Sequence, residues 1–370
     1  MATFVGTLGN DNYSGTDDVF YGLDGNDTLT ASLTPSYHSS ILEGGQGNDY
    51  LDGLLGIGYG GQGDDRVQGV LVYGGHGNDT ITASEGPAAI AGITAAAYGG
   101  DGDDVVIGLN GLNTTAPVRL YGGSGNDTMT MGSFPASPVS GHVLMGEDGD
   151  DFLVMVDPSF LSLPIPAAAL YGGLGNDTLY GASGDDTLVG DQGIDVLAGA
   201  GGNDYLYMAS GGGSAYGGAG NDIGVGSLAN DVFVMEAGDD VAYGYGGNDY
   251  FYSGDGNDVM FGGEGIDVLL GGAGNDYFDG GQGVNYYFGG GGSNTFVSND
   301  VPSVQVVQDW NASTDTVQLN GSGFTSFADV LSHSYQNGAY FVVQVDGDTA
   351  VWLNGATAAT VTAANFSIVS

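Results

Sequence analysis

Residues 172–180 read Gly-Gly-Leu-Gly-Asn-Asp-Thr-Leu-Tyr, and residues 181–189, Gly-Ala-Ser-Gly-Asp-Asp-Thr-Leu-Val, repeat the same order of residue types nine positions later. The marker is Gly175, the glycine ahead of the Asn-Asp pair. Its equivalents are Gly184, Gly193, Gly202, Gly220, Gly238, Gly247, Gly256, Gly265, Gly274 and Gly283, each nine or eighteen residues after the last. Gly211 and Ala229 occupy the skipped slots in register but in degenerate form. From Gly175 to Gly292 the chain runs 117 residues, thirteen steps of nine, without insertion or deletion. A fixed short period of this kind marks a solenoid.

The unit is G-G-x-G-(N/D)-D-x-U-x, with U a large apolar residue. The eighth position reads Leu179, Leu188, Leu197, Leu206, Ala215, Gly224, Phe233, Ala242, Phe251, Met260, Leu269, Phe278, Tyr287 and Phe296, in which Gly224 is the clear lapse. An x-U-x piece with its middle side chain inward is a very short strand, and the six residues before it are glycine-dominated turn. Two units make one flattened coil whose strands stack in parallel on neighbouring coils.

Ahead of Gly175 the same turn recurs at Gly9, Gly25, Gly47, Gly63, Gly77, Gly102, Gly125 and Gly149, at intervals of 14 to 26 residues. That is one turn per coil. The far side is a variable loop, such as residues 32–40 (SLTPSYHSS) or 131–142 (MGSFPASPVSGH), returning through Leu120-Tyr121-Gly122-Gly123 or Leu170-Tyr171-Gly172-Gly173. The expected fold is all-β, a right-handed parallel β-roll or β-helix solenoid. Residues 1–174 form an irregular half with variable loops, 175–297 a regular nonapeptide roll, and 298–370 a small β-rich C-terminal cap.

Glycine supplies 74 of the 370 residues, and 45 Asp plus Glu face only two Lys plus Arg, for a formal net charge of −43. Such a chain cannot neutralise a phosphate backbone or an anionic bilayer surface, so neither nucleic acid nor membrane insertion is expected. With 41% apolar residues it is too hydrophobic for a disordered acidic tail. The compensating positive charge must come from outside, and a divalent metal is the simplest source. There is no cysteine, hence no disulfide and no thiolate site. The N-terminal MATFVGTLGNDNYSG lacks a basic segment followed by an apolar core, so export without an N-terminal signal peptide is expected.

Glycine at positions one, two and four permits the positive φ that aims several carbonyls at one point, and the position-six acid adds a carboxylate. An oxygen-only donor set with flexible geometry suits Ca²⁺ better than Mg²⁺ or Zn²⁺. The position-six acids are Asp11, Asp27, Asp49, Asp65, Asp79, Asp104, Asp127, Asp151, Asp177, Asp186, Asp195, Asp204, Asp222, Asp231, Asp240, Asp249, Asp258, Asp267 and Asp276.

These turns, from about residue 6 to 297, resemble the repeats-in-toxin (RTX) calcium-binding β-roll family. The resemblance implies that the position-six acids and turn carbonyls bind Ca²⁺ between coils, roughly 16 ions in all. It also implies weak or empty slots at Gly211 and Ala229, which fall in one column of turns, and at Asn285 and Asn294, which replace the acid. Past Val297 the period stops. Strands are expected at Val304–Trp310, Thr316–Leu319, Tyr340–Val345 and Ala350–Leu353, with turns at Asn337-Gly338 and Asp346-Gly347 and a helix capped by Ser326. The QDWNASTDTVQL stretch, read as a strand pair, and the final NFSIVS are similar to the C-terminal module of type I secreted RTX proteins. That similarity implies an uncleaved export signal, the type I secretion machinery as partner, and an extracellular or cell-surface location.

No catalytic constellation emerges: His38, His76, His142 and His333 are isolated, and neither H-E-x-x-H nor G-x-S-x-G occurs. Position nine is apolar or aromatic at Tyr180, Tyr207, Tyr216, Tyr243, Tyr252, Phe261 and Phe288, among others, although it points away from the interior. Outward apolar stripes suggest burial against other copies, the C-terminal module or the loops. The leading expectation is therefore a secreted, non-enzymatic calcium-binding structural protein that self-associates into a surface layer, filament or matrix. The alternatives are a monomeric, calcium-stabilised binding or adhesion rod, and an undetected enzyme working in the loops before Gly102 and Gly175.

Overall fold

A three-residue strand cannot stand alone, so every x-U-x segment is stable only when its backbone pairs with the coils on either side. The computed structural model describes residues 3–16, 19–31, 40–53, 56–84, 94–109, 116–132, 141–156 and 167–369. The chain divides into two compact units, Met1–Val196 and Leu197–Ser370, a boundary inside the regular nonapeptide stretch.

In the first unit the strands after the turns, from Thr28–Ala31 to Thr178–Tyr180, pair in parallel, each with the next. Their inward residues stack in one register, Leu29, Leu51, Val67, Ile81, Val106, Met129, Leu153 and Leu179. The strands leading into the turns, from Val19–Asp24 to Thr187–Gln192, form a second parallel set that stacks Phe20, Leu42, Gly58, Val72, Ala97, Leu120, Leu144, Leu170 and Leu188. Apart from Gly58, all of these are fully buried hydrophobic residues. The unequal spacing of the turns does not disturb this register, because the extra residues lie between strands rather than within them.

The second unit repeats the plan with bulkier cores. One set stacks Leu206, Gly224, Ala242, Met260, Phe278 and Phe296, and the other Ala215, Phe233, Phe251, Leu269 and Tyr287. The rings of Phe233 and Phe251 stack at 4.8 Å, and those of Phe278 and Phe296 at 5.0 Å. Gly224, the lapse in the pattern, is matched to its neighbour: a Cβ there would meet the Phe233 ring at 2.8 Å, so that ring fills the space.

The roll does not stop at Val297. Ser303–Val307 pairs in parallel with Gly283–Tyr287, and Thr316–Asn320 pairs in parallel with Thr295–Ser298. The expected strand pair in QDWNASTDTVQL is therefore corrected: residues 308–319 hold a single strand, from Thr316, while the preceding strand ends at Val307 in the other strand set and Trp310 lies outside any strand. The cause is a change of spacing, from 18 residues to 20 between Asn285 and Gln305 and 21 between Asn294 and Asp315. Beyond it come the two expected hairpins, Ser334–Asn337 with Tyr340–Gln344 and Tyr340–Gln344 with Thr349–Asn354. The helix Phe327–Ser332 begins at Ser326, whose side chain accepts the Asp329 N–H at 3.2 Å.

Candidate metal centre

Along three columns the position-six side chain reaches toward the preceding turn, whereas Asp186 Oδ1 accepts from the Ala168 N–H at the start of a strand at 2.7 Å. In the first unit the Asp11 N–H donates to Asp27 Oδ1 at 2.7 Å and the Asp27 N–H to Asp49 Oδ1 at 2.7 Å. The same bond continues through Asp65, Asp79, Asp104, Asp127, Asp151, Asp177 and Asp195. The second unit carries two such ladders. One runs from Asp204 through Asp222, Asp240, Asp258 and Asp276 to Asn294 and Asp315. The other runs from Asp231 through Asp249 and Asp267 to Asn285.

Position five knits the coils in the opposite sense. Its side-chain oxygen accepts from the following coil, as Asn10 Oδ1 does from the Asn26 N–H at 2.9 Å and Asp103 Oδ1 from the Asn126 N–H at 2.8 Å. The paired Asn-Asp thus hydrogen-bonds the coils on both sides.

The ladder uses only one carboxylate oxygen. Oδ2 is buried without a hydrogen-bond partner in Asp27, Asp49, Asp65, Asp79, Asp104, Asp127, Asp151, Asp177 and Asp195, and in Asp240, Asp249, Asp258, Asp267 and Asp276. In all of these except Asp240 and Asp258, whose position-one residues are Met235 and Ser253, it points at the position-one glycine of its own turn. A Cβ added to Gly44 would overlap Asp49 Oδ2 and lie 2.6 Å from the Gly60 carbonyl oxygen; at Gly146 it would overlap Asp151 Oδ2 and lie 2.6 Å from the Gly172 oxygen. Asp204 and Asp222 set Oδ2 against Gly199 and Gly217 in the same way.

Burial without a counter-charge makes the ionised form costly. It raises Asp49, Asp79, Asp127, Asp177, Asp240, Asp249 and Asp276 to about 7, opposed by the ladder hydrogen bond and reinforced by acids of adjacent turns. Asp65, Asp104, Asp151, Asp195 and Asp267 rise to about 6, again chiefly by burial.

Three of the nineteen acids are arranged differently. Asp11 Oδ2 accepts from the Thr7 N–H at 2.6 Å and Thr7 Oγ1 at 3.0 Å, Asp186 Oδ2 from the Ala182 N–H at 2.8 Å, and Asp231 Oδ2 from the Ser227 N–H at 2.7 Å. The donor is always position two of the same turn. In the other acid-bearing turns that residue has positive φ, including Leu23, Glu147, Asp191, Ala200, Glu236 and Tyr245 as well as glycines; Thr7, Ala182 and Ser227 do not. Backbone conformation at position two therefore separates open turns from self-capped ones. Residue types do not reveal it, since Ala200 adopts positive φ and Ala182 does not.

Sequence reasoning also missed how the columns end. Asp315 takes the position-six place: its Oδ1 accepts from Asn294 N–H at 3.2 Å and its Oδ2 from Asn311 N–H at 2.8 Å, another self-capped turn. Gln305 takes the same place in the other column. Its Nε2 donates to the Gly281 carbonyl at 2.8 Å, and its Oε1 accepts from Asn285 Nδ2 at 3.1 Å and Tyr287 Oη at 2.5 Å.

Among the described residues no three His, Asp or Glu side chains converge on one point. The donor set at a turn is instead one carboxylate oxygen with backbone carbonyls, beside a position-one glycine in most turns and beside Met235 or Ser253 at Asp240 and Asp258. That set fits a hard, oxygen-seeking divalent cation of flexible coordination.

The RTX calcium-binding nonapeptide repeat (4 copies) matches residues 5–33, 39–58, 71–87, 97–114, 118–133, 169–197, 180–213, 214–234, 236–260 and 261–296, together more than half of the chain. The chain belongs to this family, and it is a calcium-binding repeat protein with a parallel β-roll fold. No curated protein matches it. Among solved structures, the extracellular lipase LipA of Serratia marcescens is similar at 16% identity and a TM-score of 0.29, over 72% of this chain. This chain spans 44% of that lipase. The stretches before Gly102 and Gly175 proposed to hold an enzymatic site, residues 85–93 and 157–166, lie outside the described residues.

Proposed function

We propose that this is a secreted, non-enzymatic structural protein that calcium organises into a roll and that assembles with copies of itself outside the cell. The open turns are where Ca²⁺ is held, each by a position-six Oδ2 and neighbouring carbonyls. RTX proteins are typically secreted, and export before folding accords with a fold that needs an extracellular ion. In this reading the C-terminal module carries the signal for the type I secretion machinery.

One observation carries assembly: the outward strand positions are apolar and open. In the first unit Val105, Leu109, Phe152, Val156 and Tyr180 lie on one strand set and are each about 40% exposed. In the second, Tyr216, Tyr252 and Phe288 are similarly exposed on one set and Tyr205 and Ile223 on the other. Exposed apolar side chains at this density, interrupted in the first unit by Thr128 and Gly132, support an interaction face. Tyr59, Tyr73, Tyr98 and Tyr121 add a ring stack at 4.9, 4.8 and 4.6 Å on the other strand set of the first unit.

The test is a triple variant, Tyr216→Asp, Tyr252→Asp and Phe288→Asp, compared with the parent by sedimentation and electron microscopy in Ca²⁺. These positions flank the inward residues and touch no turn carboxylate, so folding survives while association is lost. A variant that folds and still assembles like the parent removes this face from the contact.

A further inference from the structure

The ladder Asp231, Asp249, Asp267, Asn285 is uniform by spacing, each residue eighteen after the last. Its ends are not like its middle. At the first turn, Asp231 Oδ2 is taken by the Ser227 N–H at 2.7 Å and Ser227 Oγ at 3.2 Å. Ser227 Oγ also accepts from the Ala229 N–H at 2.9 Å, which fixes the hydroxyl within the turn. The turn before it holds Gly212 and Gly213 where Asn-Asp would stand and offers no carboxylate.

At the far end Asn285 keeps the ladder bond, accepting the Asp267 N–H on Oδ1 at 3.1 Å. Its Nδ2 occupies the place held elsewhere by the second carboxylate oxygen: a Cβ added to Gly280 would meet it at 2.5 Å. Gln305 then presents Nε2 to the Gly281 carbonyl and Oε1 to Asn285 and Tyr287. Asn285, Tyr287 and Gln305 are buried and charge-neutral, and every acceptor in the cluster is met by an N–H or O–H. Between these ends Asp249 and Asp267, at 2% and 0% exposure, keep Oδ2 without a partner.

We propose that Asp231 and the Asn285–Gln305 amide pair are the two non-metal ends of this column, so that Asp249 and Asp267 alone hold cations in it. The inference rests on the calcium reading above. At Asp231 the chain donor takes Oδ2, the oxygen on the side of the position-one glycine Gly226, and the oxygen left buried without a partner is Oδ1, on the side of the acid-free Gly212–Gly213 turn. At the far end the amides of Asn285 and Gln305 stand where a carboxylate and its ion would. Asp231 is a turn-capping residue, and Gln305 stands where the next ion would otherwise be needed.

The experiment counts Ca²⁺ per folded chain by native mass spectrometry for the full-length protein and for Asp231→Asn and Asp249→Asn. The expected result is an unchanged count for Asp231→Asn and the loss of at least one ion for Asp249→Asn. Loss of an ion in Asp231→Asn overturns the inference while leaving the calcium reading intact. An unchanged count in Asp249→Asn, or no bound ions in the parent, overturns the calcium reading itself. Anomalous diffraction from crystals of the unmodified protein grown in Ca²⁺ gives the answer without any variant. Peaks within about 2.6 Å of Oδ2 are expected at Asp249 and Asp267, and such a peak at either carboxylate oxygen of Asp231 refutes the assignment.

Discussion

Replacing Asp127 by Asn should change the sign of its effect with calcium. Asp127 Oδ1 accepts the Asp104 N–H at 2.8 Å, and the amide oxygen of Asn can keep that bond. What is lost is Oδ2, buried, without a partner and facing Gly122. If that oxygen holds an ion, then at a calcium concentration about 100 times the site's Kd the lost ligation is worth about 2.7 kcal/mol. For a unit of this size that lowers Tm by roughly 5–10 °C. Without calcium the same change removes a buried charge whose pKa burial has pushed up to about 7, so at pH 8 the variant is no less stable than the parent. Paired thermal melts followed by circular dichroism, with Ca²⁺ and with chelator, read both values. Equal destabilisation in the two conditions would refute the reasoning, because it would make the carboxylate a packing element rather than a ligand.

Acid should partly substitute for calcium. Asp49, Asp79, Asp127, Asp177, Asp240, Asp249 and Asp276 have folded values of about 7 against about 3.9 in an unfolded chain, so folding takes up protons. Their contribution is fully favourable below about pH 4 and is lost as pH rises through about 7. Calcium-depleted protein should therefore gain strand signal on titration from pH 8 to pH 4.5, and a flat or falling signal counts against the buried carboxylates. Glycine substitutions should separate strain from collision. At Gly63 (φ +117°) a Cβ would overlap the Gly47 carbonyl, whereas at Gly141 (φ +86°) it would meet nothing within 4 Å. Gly141→Ala should cost about 1–2 kcal/mol from the left-handed backbone alone and Gly63→Ala clearly more. Equal melting shifts would show that the coils are not stacked through their position-four glycines.

The period of nine made the roll legible because it is a covalent regularity: the eighth residues Leu179, Leu188, Phe233, Phe251 and Tyr287 are all buried as their spacing requires. The position-six acids were legible for the same reason. Which of them are open was not, because that depends on φ at position two, and Leu23 and Tyr245 adopt the left-handed form while Ser227 does not. The tyrosine stack was hidden by loop length. Tyr59, Tyr73, Tyr98 and Tyr121 lie 14, 25 and 23 residues apart, and only the paired strands bring their rings together. The last coil was hidden by its stretched spacing and by its chemistry, since Gln305 and Asp315 complete the columns without the glycine-rich turn that marks most of the earlier ones.

The most direct measurement of the central claim, that ions between turns hold this acidic roll together, is the far-ultraviolet circular dichroism of the full chain at pH 8 as Ca²⁺ is added to calcium-depleted protein. The account predicts a disordered spectrum at the start and a cooperative rise of strand signal in the millimolar range. Full strand content in excess chelator would contradict it.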